Sequence, residues 1–314
     1  MKVKNIRLIG LVILLIAVNL FFWSWKPTYS QLNYQPGRFA VKDSAFVEEV
    51  VLTTTDSENV LTKNENTWLL NDRYEVDENL RKILLSVLNK VRIKRQLTEA
   101  EIKEIRSADS PEVNVKIRGT EVPAFTVKGN ANLTRTYFLD EETGEGYEVE
   151  IPGYSDYVGG IFQLNKDQWR DRNVFSGNWR SIQELDIDYI DPERRDLKID
   201  FEGDFFRVAD IQQLDSNRVV EYLDRYLNIQ ANERLSTGRF DRYDSLAETT
   251  PLVTITIDDI KINDPIQLDV FPSLPGENIL LVLDENEEMM VFNRNRINQL
   301  LVEPAYFRYQ EKQD

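Results

Sequence analysis

Two stretches of this chain carry the same one-sided helical pattern, 139 residues apart. The first covers residues 79–94 and the second covers residues 218–228. In both, apolar side chains recur at the i, i+3, i+4, i+7 spacing of a helix with one buried face. The matched pairs are Leu80/Val219, Ile83/Tyr222, Leu84/Leu223, Val87/Tyr226 and Leu88/Leu227. Because packing residues recur and reactive side chains do not, the pattern predicts an architecture and not a chemistry.

The strands that flank these helices recur in the same order. Short alternating apolar stretches, separated by turn residues, precede each helix as in an antiparallel meander. Pro111 and Pro251 then open two clean alternations, at residues 113–117 and 253–257. Since each apolar helix face needs a sheet to cover it, we expect an α+β fold. It would consist of antiparallel sheet packed on amphipathic helices, built as two tandem repeated modules. A doubly wound parallel sheet is disfavoured, because the strands occur in runs and do not alternate with helices.

The N-terminus predicts a transmembrane helix ahead of these modules. Lys2, Lys4 and Arg7 form a basic flank, and residues 8–25 are almost continuously apolar. As a helix, such a segment rises about 27 Å, close to the roughly 30 Å hydrocarbon core of a bilayer. Because cations favour the cytoplasmic side, we expect a single-pass protein of the bacterial inner membrane with residues 26–314 extracytoplasmic. A cleaved signal peptide is the alternative, although its cleavage site would have to follow bulky aromatic residues.

The predicted organisation has four parts. Residues 1–25 are the basic flank and anchor, residues 26–38 are a tether, residues 39–173 are the first α+β repeat and residues 174–314 are the second. The tether contains two prolines and is too polar to be buried.

Composition removes several classes of chemistry. The 314-residue chain has no cysteine and no histidine. This excludes disulfides, thiol chemistry, Ser-His-Asp and Cys-His catalysis and the commonest zinc sites. The chain also lacks a glycine-rich phosphate loop followed by Lys-Ser or Lys-Thr. A net charge of −16 would repel nucleic acid, so no nucleic-acid partner is expected. We therefore predict a protein that is not an enzyme and that has no catalytic residues, cofactor or metal.

One run of carboxylates is superficially like a loop for a hard cation. Asp186, Asp188 and Asp191 lie close together, but the run lacks the central glycine and the distal glutamate of a helix-loop-helix calcium site. The same alternation is expected of a strand with one exposed face, and we prefer that interpretation. With 54 acidic residues, a facing pair of carboxylates would also arise by chance, so a carboxylate hydrolase is only a rival hypothesis.

The loop at residues 154–160 has the composition of a contact surface. It combines Tyr154 and Tyr157 with Asp156 and two glycines, so aromatic area and hydrogen-bonding groups occur together. We take Tyr154, Asp156 and Tyr157 as the candidate contact residues. The alternative is a plain turn whose tyrosines pack on the sheet.

A series of ordered motifs is similar to a known family. The motifs are Phe39-Ala-Val-Lys-Asp43, Val47-Glu-Glu-Val-Val-Leu52, Trp68 with the helix after it, Trp169-Arg-Asp-Arg172, Trp179 and Ile182-Gln-Glu-Leu185. In this order they resemble the domain-of-unknown-function family 4340 over most of residues 39–300. The resemblance implies a bacterial envelope protein with one N-terminal membrane anchor and repeated α+β modules. It also implies an association with ABC-type export systems like those of gliding motility. The family has no agreed catalytic residues to transfer.

The residues and the resemblance together predict a binding role. The leading hypothesis is a non-enzymatic, membrane-anchored extracytoplasmic accessory or scaffold protein. It would be auxiliary to an ABC-type transport system, with a transporter subunit as its protein partner. The alternative is a module that binds a ligand, either an envelope polysaccharide or a small molecule. A deep pocket lined by aromatic and amide groups would favour the ligand, and a flat apolar patch would favour the protein partner.

Overall fold

The computed structural model describes residues 35–65 and 67–309 of the chain. These residues belong to two compact units, each made of two chain segments. The smaller unit contains residues up to Val47 together with Leu85–Gly160, and the larger unit contains Glu48–Leu84 together with the residues from Ile161 onward.

Nineteen strands and six α-helices occur among the described residues. The strands are β1 (Glu49–Thr53), β2 (Glu58–Asn64), β3 (Thr67–Leu70), β4 (Tyr74–Glu75), β5 (Arg92–Gln96), β6 (Val113–Arg118), β7 (Phe125–Gly129), β8 (Thr136–Asp140), β9 (Gly146–Glu150), β10 (Asn173–Phe175), β11 (Ile182–Tyr189), β12 (Leu197–Glu202), β13 (Phe205–Val208), β14 (Ile229–Gln230), β15 (Glu233–Leu235), β16 (Val253–Asp259), β17 (Ile266–Val270), β18 (Ile279–Asp284) and β19 (Met289–Asn293). The α-helices are α1 (Glu78–Lys90), α2 (Glu99–Ser107), α3 (Lys166–Trp169), α4 (Ser216–Leu223), α5 (Asp241–Ala247) and α6 (Arg294–Asn298). Short 3-10 helices lie at Ser44–Phe46, Gly159–Gln163, Asp224–Tyr226 and Pro304–Phe307.

The smaller unit is built on five antiparallel strands in the order β6-β7-β8-β9-β5. On one face the rings of Phe39, Phe125, Phe138 and Tyr147 pack together, with centroids 4.4 to 5.6 Å apart. The alternate residues of β8 point to the other face and pack with Ile105 of α2. Strand β8 is therefore buried on both faces.

The larger unit contains eight antiparallel strands in the order β13-β12-β11-β16-β17-β18-β19-β15. Helix α4 packs on one face, where Val219, Tyr222 and Leu223 are fully buried. Helix α5 covers part of the opposite face through Tyr243. The same unit also holds the strand set β4-β3-β2-β1 and the strand pair β10-β14.

The strand orders of the two halves of the chain correspond element by element. The order β6-β7-β8-β9-β5 has its counterpart in β16-β17-β18-β19-β15, and β3-β2-β1 has its counterpart in β13-β12-β11. Helix α1 follows the first meander along the chain as α4 follows the second. The repeat boundaries at residues 39–173 and 174–314 stay a prediction, because the compact units are not divided at that position.

Helix α1 is shorter than its sequence pattern predicts. It ends at Lys90, and Arg92–Gln96 forms strand β5, which pairs with β9. It begins at Glu78, one residue before the predicted stretch, and Asp77 caps this end, because Asp77 Oδ1 accepts the N–H groups of Asn79 and Leu80 at 2.9 and 3.1 Å. The side-chain cap thus marks the first turn correctly, while the apolar spacing extends the helix too far.

Helix α4 also departs from the pattern at its C-terminal end. It stops at Leu223 and continues as the 3-10 helix Asp224–Tyr226. A 3-10 helix has about 3.0 residues per turn and an α-helix about 3.6, so the last turn changes phase. Leu227 is consequently 57% exposed, although Leu88, its counterpart in the sequence pattern, is fully buried.

The predicted fold class and membrane location need correction. Within residues 35–65 and 67–309, no helix is long and apolar enough to cross a membrane. The longest, α1, has 13 residues and therefore rises only about 20 Å. The described chain is mainly antiparallel sheet with short helices, and residues 8–25, on which the span is predicted, lie outside the described residues. The single-pass topology, the inner-membrane location and the extracytoplasmic assignment of residues 26–314 are therefore not retained.

Candidate anion-binding site

A tight turn between β3 and β4 places the first residues of the site. Asn71 and Asp72 both adopt positive φ, 52° and 54°, which reverses the chain within two residues. The Asn71 side chain accepts the N–H of Val60 at 2.8 Å and so fixes the turn against β2. Arg73 and Tyr74 come next, so a guanidinium and an aromatic ring stand at the edge of this strand set.

A second segment brings Arg170 beside that edge. Helix α3 ends with Trp169, whose fully buried side chain anchors the segment. Residues 169–171 then run antiparallel to residues 75–77, with backbone hydrogen bonds of 2.8 and 2.9 Å between them. The position of Arg170 is therefore set by the backbone and by a core side chain, and not by its own charge.

Strand β15 and the turn between β18 and β19 complete the site. Arg234 of β15 donates through Nε to the Asp171 carbonyl at 2.6 Å and through Nη2 to the Asn173 carbonyl at 3.1 Å. Glu288 ends the turn before β19, and its N–H donates to Asp284 Oδ1 at 2.9 Å. Four separate chain segments of the larger unit therefore converge at this place.

The converging residues line a cavity of about 430 Å³, which we call the arginine pocket. Its lining residues are Arg73, Tyr74, Glu75, Arg170, Asp171, Asn173, Arg234, Asn286 and Glu288. Three guanidiniums in one cavity favour an anionic ligand, even in a chain whose net charge is −16.

Glu288 is the counter-ion of two of these arginines. Its Oε1 accepts from Arg73 Nη2 at 2.9 Å, and its Oε2 accepts from Arg170 Nη2. Hydrogen bonds between a guanidinium and a carboxylate are among the strongest in proteins. The arrangement therefore already holds one anionic group, and it does so with a side chain from a hairpin turn.

The ring of Tyr74 lies among three cations. The Cζ atoms of Arg170 and Arg73 lie 4.0 and 4.7 Å from the ring centroid, and Lys166 Nζ lies 4.8 Å from it. Each such contact is worth about 0.5–2 kcal/mol, because the ring quadrupole attracts positive charge. The ring thus keeps together cations that would otherwise repel one another.

Arg170 is the most constrained cation of the site. The residue is only 2% exposed, and its Nε–H has no acceptor among the described residues. Asp167 Oδ1 lies 3.9 Å from Arg170 Nη1, which is too far for a good hydrogen bond. A buried donor without an acceptor costs about 1–3 kcal/mol. An additional acceptor at this N–H would therefore be strongly favoured.

Arg234 adds a second, half-buried guanidinium. Desolvation lowers the pKa of Arg234, and the positive charge of Arg170 lowers that pKa further, while Asp284 acts in the opposite direction. Arginine nevertheless stays protonated in proteins. The two guanidiniums repel each other in a poorly solvated place, and an anion in the cavity would relieve that repulsion.

The arrangement suits recognition of a carboxylate or a phosphate. Guanidiniums offer rigid forks of N–H donors that match the oxygen pairs of both groups. Glu75, Asp171 and Glu288 balance the three arginines in number. Selectivity would therefore come from geometry and from exchange with Glu288, rather than from excess positive charge.

The predicted contact residues lie in the smaller unit and not in the arginine pocket. Tyr154 and Asp156 are exposed and line another cavity of about 380 Å³. Tyr157 is half-buried and packs against Gly129 and Gly159, and a Cβ atom at Gly159 would lie 2.4 Å from its hydroxyl. The structure thus brings Tyr154 and Asp156 together and turns Tyr157 inward. Their role in contact stays a prediction.

In the carboxylate run, Asp186 and Asp188 lie on β11 and follow the alternation of the strand, whereas Asp191 lies beyond its end. Lys198 Nζ donates to Asp186 Oδ2 at 3.3 Å and also to Glu184. In the part of the chain that the structure describes, no group of acidic side chains is arranged to hold a metal ion.

Sequence reasoning missed the arginine pocket. Arg73, Arg170, Arg234 and Glu288 stand at least 54 positions apart along the chain, so no spacing rule links them. The single available signal is the segment Trp169-Arg-Asp-Arg172, which contains Arg170 and contributes to the family resemblance. By itself it indicates no chemistry, because the partners of Arg170 come from other segments.

Comparison with known protein families, with curated proteins and with solved structures gives no match to this chain. The resemblance to the domain-of-unknown-function family 4340 therefore stays a prediction that rests on the ordered motifs. The function has to be argued from the geometry of the site.

Proposed function

We propose that this protein is a non-enzymatic binding protein whose larger unit recognises a small anionic ligand in the arginine pocket. The ligand carries a carboxylate or a phosphate. Arg73 and Arg170 bind that group in place of Glu288, and the Nε–H of Arg170 donates an additional hydrogen bond.

The observation that carries the proposal is the state of Arg170. Its guanidinium is almost completely buried, lines a cavity of about 430 Å³ and keeps one N–H without an acceptor among the described residues. A purely structural ion pair would not need a cavity or a spare donor. A ligand oxygen supplies the missing acceptor.

The predicted accessory role, with a transporter subunit as protein partner, rests on the family resemblance alone. The arginine pocket is concave and polar, which supports a small ligand more than a flat protein surface. We therefore place ligand binding first and keep the accessory role as a prediction.

The test is calorimetric titration of the protein with inorganic phosphate and, separately, with citrate. We expect at least one of them to bind, and we expect Arg73→Gln to weaken that binding at least tenfold. Arg73 is 69% exposed on its side chain, so the variant should fold normally. Arg207→Gln is the matched control, because Arg207 is 60% exposed, is paired with Asp200 and Glu202 and lies outside the pocket. It should change the affinity less than twofold.

Two results would overturn the proposal. One is the absence of binding heat for both anions at millimolar concentration. The other is an equal loss of affinity in Arg73→Gln and Arg207→Gln, which would indicate a general charge effect and not recognition in the pocket.

A further inference from the structure

We propose that the cavity beside Tyr154 in the smaller unit binds a neutral polyhydroxylated ligand, that is, a saccharide. We call it the tyrosine cavity. Its volume is about 380 Å³, and its lining includes Lys94, Arg135, Glu148, Glu150, Tyr154 and Asp156. The proposal is independent of the arginine pocket, since no residue in the described part of the chain lines both cavities.

Two acidic side chains of the tyrosine cavity, the buried Glu148 and the partly exposed Glu150, already have cationic partners. Glu148 is almost completely buried and lies 3.3 Å from Lys94 Nζ and 2.8 Å from Arg95 Nε. Glu150 lies 3.5 Å from the same Lys94. Because both carboxylates are already paired, neither of them needs a cationic ligand.

Four other polar groups of the cavity have no such partners among the described residues. The side chains of Arg135, Ser155 and Asp156 make no hydrogen bond or ion pair within the described residues, and neither does the hydroxyl of Tyr154. Among them they offer N–H donors, acceptor oxygens and hydroxyls that can do both. Arg135 and Asp156 carry opposite charges, so the unpaired groups have no net charge.

The loop that presents these groups is fixed in place. The buried hydroxyl of Thr136 accepts the N–H groups of Val158 and Gly159 at 2.9 and 3.2 Å. Tyr157 packs beneath the loop so closely that position 159 has no room for a side chain. A preformed loop loses little conformational entropy when a ligand binds.

A saccharide matches this combination better than an ion does. Each sugar hydroxyl both donates and accepts, which pairs with a mixed and uncharged set of protein groups. The apolar face of a sugar ring can stack on an aromatic ring, and Tyr154 exposes 51% of its surface. The charged groups of the tyrosine cavity that have no partner among the described residues, Arg135 and Asp156, cancel each other, so they favour a neutral ligand.

The test is saturation-transfer NMR of the protein with three neutral trisaccharides: maltotriose, cellotriose and N-acetylchitotriose. We expect transfer to at least one of them, and we expect Tyr154→Ala to weaken its binding at least tenfold. Tyr309→Ala is the matched control, because Tyr309 is 58% exposed and lies in the larger unit. It should leave the affinity within twofold, and both variants should keep the melting temperature of the parent.

The two ligand proposals can fail separately. Arg73→Gln should leave trisaccharide binding unchanged, and Tyr154→Ala should leave phosphate and citrate binding unchanged. Absence of transfer to all three sugars would overturn the saccharide proposal, and so would transfer that survives in Tyr154→Ala. Neither result would bear on the arginine pocket.

Discussion

The hairpin β8–β9 of the smaller unit and the hairpin β18–β19 of the larger unit hold corresponding places in the two strand orders. Each turn opens with an aspartate that accepts two backbone N–H groups. Asp140 Oδ1 accepts from the residues two and three positions on, at 2.9 and 3.0 Å. Asp284 Oδ1 accepts from the residues two and four positions on, at 3.0 and 2.9 Å. The local turn chemistry is therefore shared.

The two hairpins differ in what their acids do next. Asp140 is fully buried on its side chain, and its Oδ2 accepts from Arg38 Nε at 2.7 Å. Asp284 lies 3.9 Å from Arg234, and the principal ion pairs of its turn are made by Glu288, which is shared between two arginines. The first hairpin thus ends in a buried ion pair, Arg38–Asp140, which we call the closed pair. The second ends beside the arginine pocket in a cluster of Glu288 with Arg73 and Arg170, which we call the open cluster.

The difference indicates that the acid of the first hairpin serves stability and that the acid of the second serves ligand recognition. Burial alone would raise the pKa of Asp140, but hydrogen bonds from the Thr143 N–H and from Arg38 outweigh it, so the pKa is lowered. A carboxylate held in this way cannot be exchanged for a ligand. A carboxylate shared at a partly exposed turn can be displaced, which is why we place binding at the second hairpin and not at the first.

The largest expected effect tests the core behind the second hairpin. Leu223 is fully buried in the same cluster as Met290 and Phe292 of β19. Leu223→Asp places an unpaired charge there and should lower the free energy of unfolding by more than about 4 kcal/mol. Chemical denaturation followed by circular dichroism measures this change.

Leu227→Asp is the control for this change, because Leu227 is 57% exposed four residues further along. It should be nearly neutral. Equal destabilisation by the two variants would show that the buried face of this helical segment is assigned incorrectly.

The next effect tests the closed pair directly. Arg38→Gln leaves the buried Asp140 carboxylate without its cation and should cost about 3 kcal/mol near neutral pH. The folded pKa of Asp140 is lowered, so the pair stabilises above the ordinary carboxyl pKa of about 4. That stability is lost as the pH falls through the folded pKa. The difference between parent and variant should therefore shrink on acidification, as measured by urea unfolding between pH 7 and pH 3.

Arg73→Gln gives the contrast for the open cluster. The Arg73 guanidinium is exposed, and in the variant Glu288 is still paired with Arg170. The free energy of unfolding should therefore fall by less than about 1 kcal/mol. A larger loss in Arg73→Gln than in Arg38→Gln would reverse the comparison between the hairpins.

Helix caps can be predicted from the sequence, because the residues that form them are neighbours along the chain. The segment Thr98-Glu-Ala-Glu101 has the sequence of a capping box, and in the structure Thr98 and Glu101 are bonded reciprocally at the start of α2. Asp77 likewise caps α1. The position of β5 was not predictable in the same way. Val91 and Ile93 continue an apolar pattern that fits both a helix and a strand, and pairing with β9 decides between them.

The arginine pocket could not be predicted, because its members meet through tertiary structure. Arg73 depends on a two-residue turn with positive φ, and Arg170 depends on the burial of Trp169. The contact loop was visible from composition, since Tyr154 and Asp156 are neighbours in sequence. Composition could not show that Tyr157 turns inward, because that orientation depends on its packing against Gly129.

A moderate effect should come from the acid that the two arginines share. Glu288→Gln removes a negative charge from the arginine pocket and should tighten phosphate binding about tenfold, or ~1.4 kcal/mol. The same variant without phosphate should be less stable, because Arg170 loses a charged acceptor. Phosphate should therefore raise the melting temperature of the variant more than that of the parent, in a thermal-shift assay.

Glu202→Gln serves as its control, because Glu202 pairs with Arg207 outside the pocket. It should behave like the parent towards phosphate. Weaker phosphate binding in Glu288→Gln would mean that Glu288 supports the site and does not compete for it.

The smallest effect concerns a third carboxylate, whose pKa shift has the opposite sign to that of Asp140. Burial raises the pKa of Asp186, and the hydrogen bond from Lys198 only partly offsets it. A raised folded pKa means that ionisation opposes folding, so stability is lost as the pH rises from the unfolded pKa through the folded one.

Asp186→Asn removes this loss and should stabilise the protein at pH 7 by about 0.5 kcal/mol. At pH 3, where the carboxyl is protonated in both states, the variant and the parent should be equal. Urea unfolding at the two pH values measures the difference in the free energy of unfolding between variant and parent. A variant less stable at pH 7 would show that the bond to Lys198 outweighs desolvation, and Asp186 would then belong with Asp140 as a stabilising acid.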